Sequence, residues 1–146
     1  MSANLPPIVN LAERLMLEVE RAVRAFPRYH KYSLGQELRQ QCRDLVRLCY
    51  RAWRARDQQH VLLPALVDGV DDIKLSLQLG SQLRAFRSFD QFEALLRVAL
   101  DLGRQAGGWR RQVLSHPKGQ NPEPAPARER AHTLSTRSAS TQGANA

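Results

Sequence analysis

The sequence predicts an all-α protein, an up-down-up-down four-helix bundle. Three observations predict it. Apolar residues recur at the 3.6-residue period through four long stretches. The breaks between those stretches are short and carry stop or start signals, which makes consecutive helices antiparallel neighbours. No stretch reads as a pair of strands.

The chain has 146 residues, enough for one domain with a real core. Residues 1–7 read as a flexible leader ending in Pro6 and Pro7, residues 8–115 as the bundle, and residues 116–146 as a disordered tail. The first helix is predicted from about Ile8 to Ala25, with Ile8, Leu11, Leu15, Val19, Ala22, Val23 and Phe26 on one face. Pro27 stops it, because a residue that precedes proline avoids the helical region. Arg28 to Tyr32 form a connection. Ser33-Leu34-Gly35-Gln36 then fits a capping box, and a second helix is expected from there to about Arg56. Asp57 to His60 read as a short turn. A third helix is expected from about Val61 to Phe86, with Leu62, Leu66, Val70, Ile73, Leu77 and Gly80 inward. Pro64 places its start close before that residue, since proline fits only the first turn. Ser88-Phe89-Asp90-Gln91 is a second capping box, opening a fourth helix from about Phe89 to Leu114. Beyond His116 the chain is rich in Pro, Ala, Ser and Thr with one large aliphatic residue, Leu134, too little apolar surface to offset the entropy of ordering.

The charge balance is unusual. The net charge is +8 and the isoelectric point about 10.5. Arginine supplies nearly all of it, Lys31, Lys74 and Lys118 being the only lysines. Eighteen of the cations and twelve of the acids lie in residues 1–115, so the excess belongs to the folded part. Arginine favours bidentate contacts to phosphate and carboxylate, so such a surface suits nucleic acid or an acidic protein. Within the second helix Arg39, Arg43, Arg47 and Arg51 recur every four residues, and Arg54 follows. At roughly 100° per residue they span an arc of about 120°, opposite Leu38, Cys42, Leu45 and Cys49. Within Arg39 to Arg56 only Asp44 offers these arginines an acid. In the preceding connection Phe26, Tyr29 and Tyr32 interleave with Arg28, His30 and Lys31. That pattern suits either stacking on unpaired bases or bracing of the turn.

The sequence carries no recognisable enzymatic constellation. Phosphate-cradling glycine loops are absent, and His30, His60, His116 and His132 lack metal-ligand spacing. Asp68, Asp71 and Asp72 face Asp101 across the expected bundle but lack the Glu-x-x-His pairs of a di-metal site. We therefore expect no enzyme, no cofactor and no metal. Cys42 and Cys49, roughly 10 Å apart along one helix, cannot form a disulfide and read as buried thiols of a reducing compartment. There is no secretory signal and no membrane-spanning run, so a cytoplasmic location is expected. Trp53 and Trp109 read as core anchors. The additional Leu75 and Leu79 exceed what one core needs and point to an oligomer interface.

FPRYHKYSLGQELR at residues 26–39, followed by an apolar and basic helix and by LGRQAGGWR at residues 102–110, resembles the accessory variability determinant (Avd) family of four-helix bundles. That wider family includes bundle proteins encoded in intervening sequences of 23S ribosomal RNA genes. The resemblance covers about residues 8–114. It implies a non-enzymatic homopentameric barrel that binds RNA or DNA and the reverse transcriptase of a diversity-generating retroelement, in support of mutagenic retrohoming. The family motif falls on Pro27, Arg28, His30 and Lys31, and on Gly108 and Trp109. Two basic positions of the family's third helix fall on Lys74 and Gln78. The neutral glutamine is a departure that leaves such a contact to Arg84 or to the arginine stripe. The expected binding set is thus Arg28, His30, Lys31, Arg39, Arg43, Arg47, Arg51, Arg54, Lys74 and Arg84. Two other readings fit the same surface: an intervening-sequence-type bundle protein, and an adaptor for an acidic protein.

Overall fold

The computed structural model describes residues 5–115, so the expected tail, with His116 and His132, and the first four residues lie outside the described part. Helix α1 spans Pro7–Arg24, α2 Arg28–Lys31, α3 Leu34–Arg54, α4 Gln59–Gln82 and α5 Phe89–Leu114. The four long helices pack as a bundle in which α1 meets α3, α3 meets α4, α4 meets α5, and α5 closes back on α1. Cross-helix contacts set the directions. Glu20 of α1 reaches Arg39 of α3, while Glu13 reaches Tyr50. Gly80 of α4 abuts Leu34 of α3, while Gln59 bonds back to Ala52. Gly103 of α5 lies against Val70 of α4. Each sequential pair is therefore antiparallel.

The core follows the helical period. Ile8, Leu15, Leu38, Leu45, Leu66, Ile73, Leu77 and Leu102 are all at most 1 % exposed. Trp109 is buried among them, and Trp53 packs half-buried at the margin. Burial of such side chains stabilises a fold by about 1.5–3 kcal/mol each. Cys42 and Cys49 are buried free thiols. Burial pushes both thiols up to about 12, the charge of Glu20 adding to the effect at Cys42.

Three local expectations are corrected. Ser33 does not cap α3. Its hydroxyl turns back and donates to the carbonyl oxygens of Tyr29 and His30, at 3.2 and 3.4 Å. The reason is that Arg28 to Lys31 are not an open connection but one helical turn, nucleated by the Pro27 carbonyl, which accepts from the His30 and Lys31 N–H groups. The carbonyls at the end of that turn take the Ser33 hydroxyl, and that of His30 accepts the Ser33 N–H as well. Second, α3 stops at Arg54 and α4 starts at Gln59, five residues before Pro64, so the proline sits inside the helix. A buried side-chain bond, Gln59 Nε2 to the Ala52 carbonyl at 2.8 Å, ties the start of α4 to α3 across the 3-10 turn Arg56–Gln58. Proline there withholds the N–H that the His60 carbonyl would otherwise receive. Third, Leu63 takes the inner position expected of Leu62, because it lies three residues before Leu66 on the buried face.

The fourth predicted helix matches α5 at both ends. Ser88 accepts from the Gln91 N–H at 3.2 Å, and the Gln91 side chain accepts in return from the Arg87 N–H. At the other side of that connection α4 ends in a Schellman motif. Ala85 N–H reaches the Gly80 carbonyl and Arg84 N–H the Ser81 carbonyl. Arg84 holds the left-handed position, φ 57°, where glycine is usual. Among the described residues no helix is long and apolar enough to cross a membrane.

Candidate nucleic-acid interface

The arginine stripe exists as a face of α3 turned away from the core, running about 22 Å from Arg39 to Arg54. Its members are not equivalent. Arg39 Nε lies 2.9 Å from Glu20 Oε2, and the Arg43 guanidinium 3.4 Å from the same oxygen. Both arginines are half-buried along the α1–α3 seam. The expectation that Asp44 alone would balance the stripe is therefore corrected: α1 supplies a second acid, which lies nineteen residues away in sequence. Arg47 pairs with Asp44 at 3.1 Å on a fully solvated surface, where such a pair is worth well under 1 kcal/mol. Arg51 and Arg54 are exposed and have no ion-pair partner among the described residues. They lie in the last turn of α3, where a cation also complements the partial negative charge of the helix end.

A second group gathers at one end of the bundle. The α1–α3 connection and the α4–α5 connection meet there through Phe26 and Phe86, whose rings pack edge to face with centroids 5.1 Å apart. Phe86 packs on Phe92 in turn. Phe26 is thus the brace of the turn, 5 % exposed, while Tyr29 and Tyr32 are 86 % and 73 % exposed. The two connections, residues 24–33 and 83–89, carry Arg24, Arg28, Lys31, Arg84 and Arg87 and no acid. His30 stands edge to face against the Tyr29 ring. Beside them opens a shallow groove of about 910 Å³, bounded by Tyr29, Tyr32 and Leu83 and floored by the first turns of α3.

Lys74 belongs to neither group. It pairs with Asp71 at 3.0 Å in a smaller groove between α4 and α5, next to Gly103 and Arg104. Gln78, one turn on, is exposed. The ten expected residues therefore divide into the α3 stripe, the bundle end with Arg28, His30, Lys31 and Arg84, and the isolated Lys74. The acids Asp71 and Asp101 are each taken by a cation of their own helix, Lys74 and Arg104. Among the described residues no three His, Cys, Asp or Glu side chains gather into a metal-holding group. Sequence reasoning missed Glu20 and Arg87. Arg87 was legible in the acid-free run 83–89, whereas the pairing of Glu20 depends on how α1 and α3 are rotated. No family model, curated protein or solved structure matches the chain.

Proposed function

We propose that the protein is a non-enzymatic accessory subunit of a diversity-generating retroelement, a homopentamer that binds the element's reverse transcriptase and its template RNA or cDNA. The observation that carries the binding part is the outward row Arg47, Arg51 and Arg54, cations on a rigid helix with at most one weak partner between them. Guanidinium groups so placed meet phosphates bidentately at little desolvation cost. The motif resemblance at residues 26–39 and 102–110 supplies the retroelement context. Exposed Leu75 and Leu79, one turn apart on α4, support the assembly.

Two measurements test this. Co-expression with a reverse transcriptase encoded beside the gene is expected to yield a complex that survives purification; a reverse transcriptase that elutes alone rejects the retroelement reading. Arg51→Glu with Arg54→Glu is expected to weaken nucleic-acid binding and to flatten its salt dependence, since log K falls by about 0.9 per neutralised duplex phosphate with log salt. These two positions are the informative ones, because Arg39 and Arg43 already face Glu20. An unchanged affinity and slope would remove the stripe from the interface and leave an acidic protein as its partner.

A further inference from the structure

We propose that the groove at the α2 end of the bundle holds unpaired bases of a single-stranded nucleic acid whose phosphates continue along the outer face of α3. The inference rests on the nucleic-acid reading above and adds to it a strand preference and a place for the bases.

Four observations carry it. Tyr29 and Tyr32 flank the groove and leave most of their ring surface to solvent. Exposed rings on a supported turn are stacking platforms, and stacking accepts any base. The turn beneath them is held by the Pro27 carbonyl bonds, by the Ser33 hydroxyl and by the buried Phe26–Phe86 contact, so the rings are presented on a braced element. The groove is lined by the amides of Gln36, Gln40 and Gln41; Gln40 Nε2 donates to Asp44 and Gln36 Oε1 accepts from Arg39, which leaves the Gln40 oxygen and the Gln36 amino group to a ligand. Amides match base edges, which offer both donors and acceptors. Its one carboxylate, Glu37, repels phosphate, so bases rather than backbone suit this wall.

The path out of the groove is set by the helical period. Gln36 and Gln40 lie on the same angular sector of α3 as Arg47, Arg51 and Arg54. A strand with its bases against the tyrosines therefore finds guanidinium groups at successive turns. The two acid-free connections that supply Tyr29, Tyr32 and Leu83 to the groove also carry Arg28, Lys31, Arg84 and Arg87, next to those residues in the chain. Arg84 holds a left-handed backbone conformation that glycine would hold without strain, so its side chain is kept at a conformational cost. A duplex cannot use this groove, because its bases are stacked on one another and its outer surface is phosphate.

The test is fluorescence anisotropy of the full-length protein with a fluorescein-labelled RNA single strand of about 12 nucleotides, within the range single-strand sites cover, and with the blunt duplex of the same sequence. Wild-type protein is expected to bind both, the single strand more tightly. Tyr29→Ala with Tyr32→Ala is expected to lose about tenfold or more for the single strand and to leave the duplex unchanged. Both side chains are exposed, so circular dichroism should report the same helix content. Tyr29→Phe with Tyr32→Phe keeps the rings and should bind as wild type does. The inference is overturned if the alanine pair binds the single strand normally, if it loses strand and duplex equally, or if the phenylalanine pair is as weak as the alanine pair. Arg51→Glu with Arg54→Glu should weaken both probes. Wild-type protein that binds neither probe would reject the nucleic-acid reading itself, and this inference with it.

Discussion

Arg84 concentrates the conflict between stability and surface chemistry in one residue. Its left-handed backbone costs a residue with a Cβ roughly 1–2 kcal/mol. Arg84→Gly removes that strain while keeping both hydrogen bonds of the Schellman motif. We expect a net gain of about 1 kcal/mol, trimmed by the greater freedom of glycine in the unfolded chain, and seen as a higher urea midpoint. The same variant should bind the single strand more weakly than wild type, having lost the cation that follows the groove residue Leu83 in the chain. A drop in the urea midpoint instead would mean that the Arg84 side chain braces the fold. Cys42 and Cys49 give the residue scale its pH dependence. Their folded thiols ionise only near 12, against the ordinary value of 9. A folded value raised above the unfolded one stabilises fully below pH 9, and that stabilisation is lost as the pH rises from 9 towards 12. Stability should therefore fall over this alkaline window, and less steeply once both are replaced by alanine. At pH 8 both thiols should resist alkylation in native protein and react at once in denaturant.

At the scale of elements, close backbone approaches lock the α2 end of the bundle. A Cβ on Gly35 would lie 2.8 Å from Val23 Cγ1 and 3.3 Å from the His30 carbonyl oxygen. One on Gly80 would lie 2.7 Å from the Phe86 ring. Overpacking of this kind costs about 1–3 kcal/mol, and Gly35→Ala should be the worse because the carbonyl belongs to the turn itself. Thermal unfolding of the two variants checks the order. The same elements show what could be read in the sequence. The 3.6-residue period located all four long helices, and the Ser88 box placed the start of α5 on the right residue. The Ser33 box has the same pattern but fails, because α2 leaves carbonyls within reach of its hydroxyl. Pattern alone does not distinguish an oxygen that caps forward from one that bonds backward. The arginine face was legible too, since it depends on one helix. The claim of Glu20 on Arg39 and Arg43 was not, since it depends on the packing of two. Glu20→Gln should release both guanidinium groups, tighten binding to polyanions and steepen its salt dependence, measured by anisotropy across a salt series.

At the scale of the whole molecule, the monomer leaves a pair of leucines that its own core does not use. Leu75 and Leu79 are 56 % and 42 % exposed and four residues apart, so they share one ridge of α4. Neither leucine lines the groove bounded by Tyr29 and Tyr32, so a second copy seated on the pair need not occupy that groove. Assembly then multiplies the cationic face without altering any single contact. Linked copies bind one long polyanion with an effective concentration far above that of free monomers, and avidity exceeds the affinity of one face by about a hundredfold or more. Leu75→Glu with Leu79→Glu separates the two effects. Neither side chain belongs to the buried core, so the helix content should persist while light scattering falls from the proposed pentamer to a monomer. The variant should keep the short-oligonucleotide affinity of a single face and lose the avidity for a long strand, and its salt slope on the long strand should shrink with the number of phosphates it can reach. A variant that remains multimeric would move the interface off this ridge, and a wild-type monomer at micromolar concentration would remove the barrel altogether.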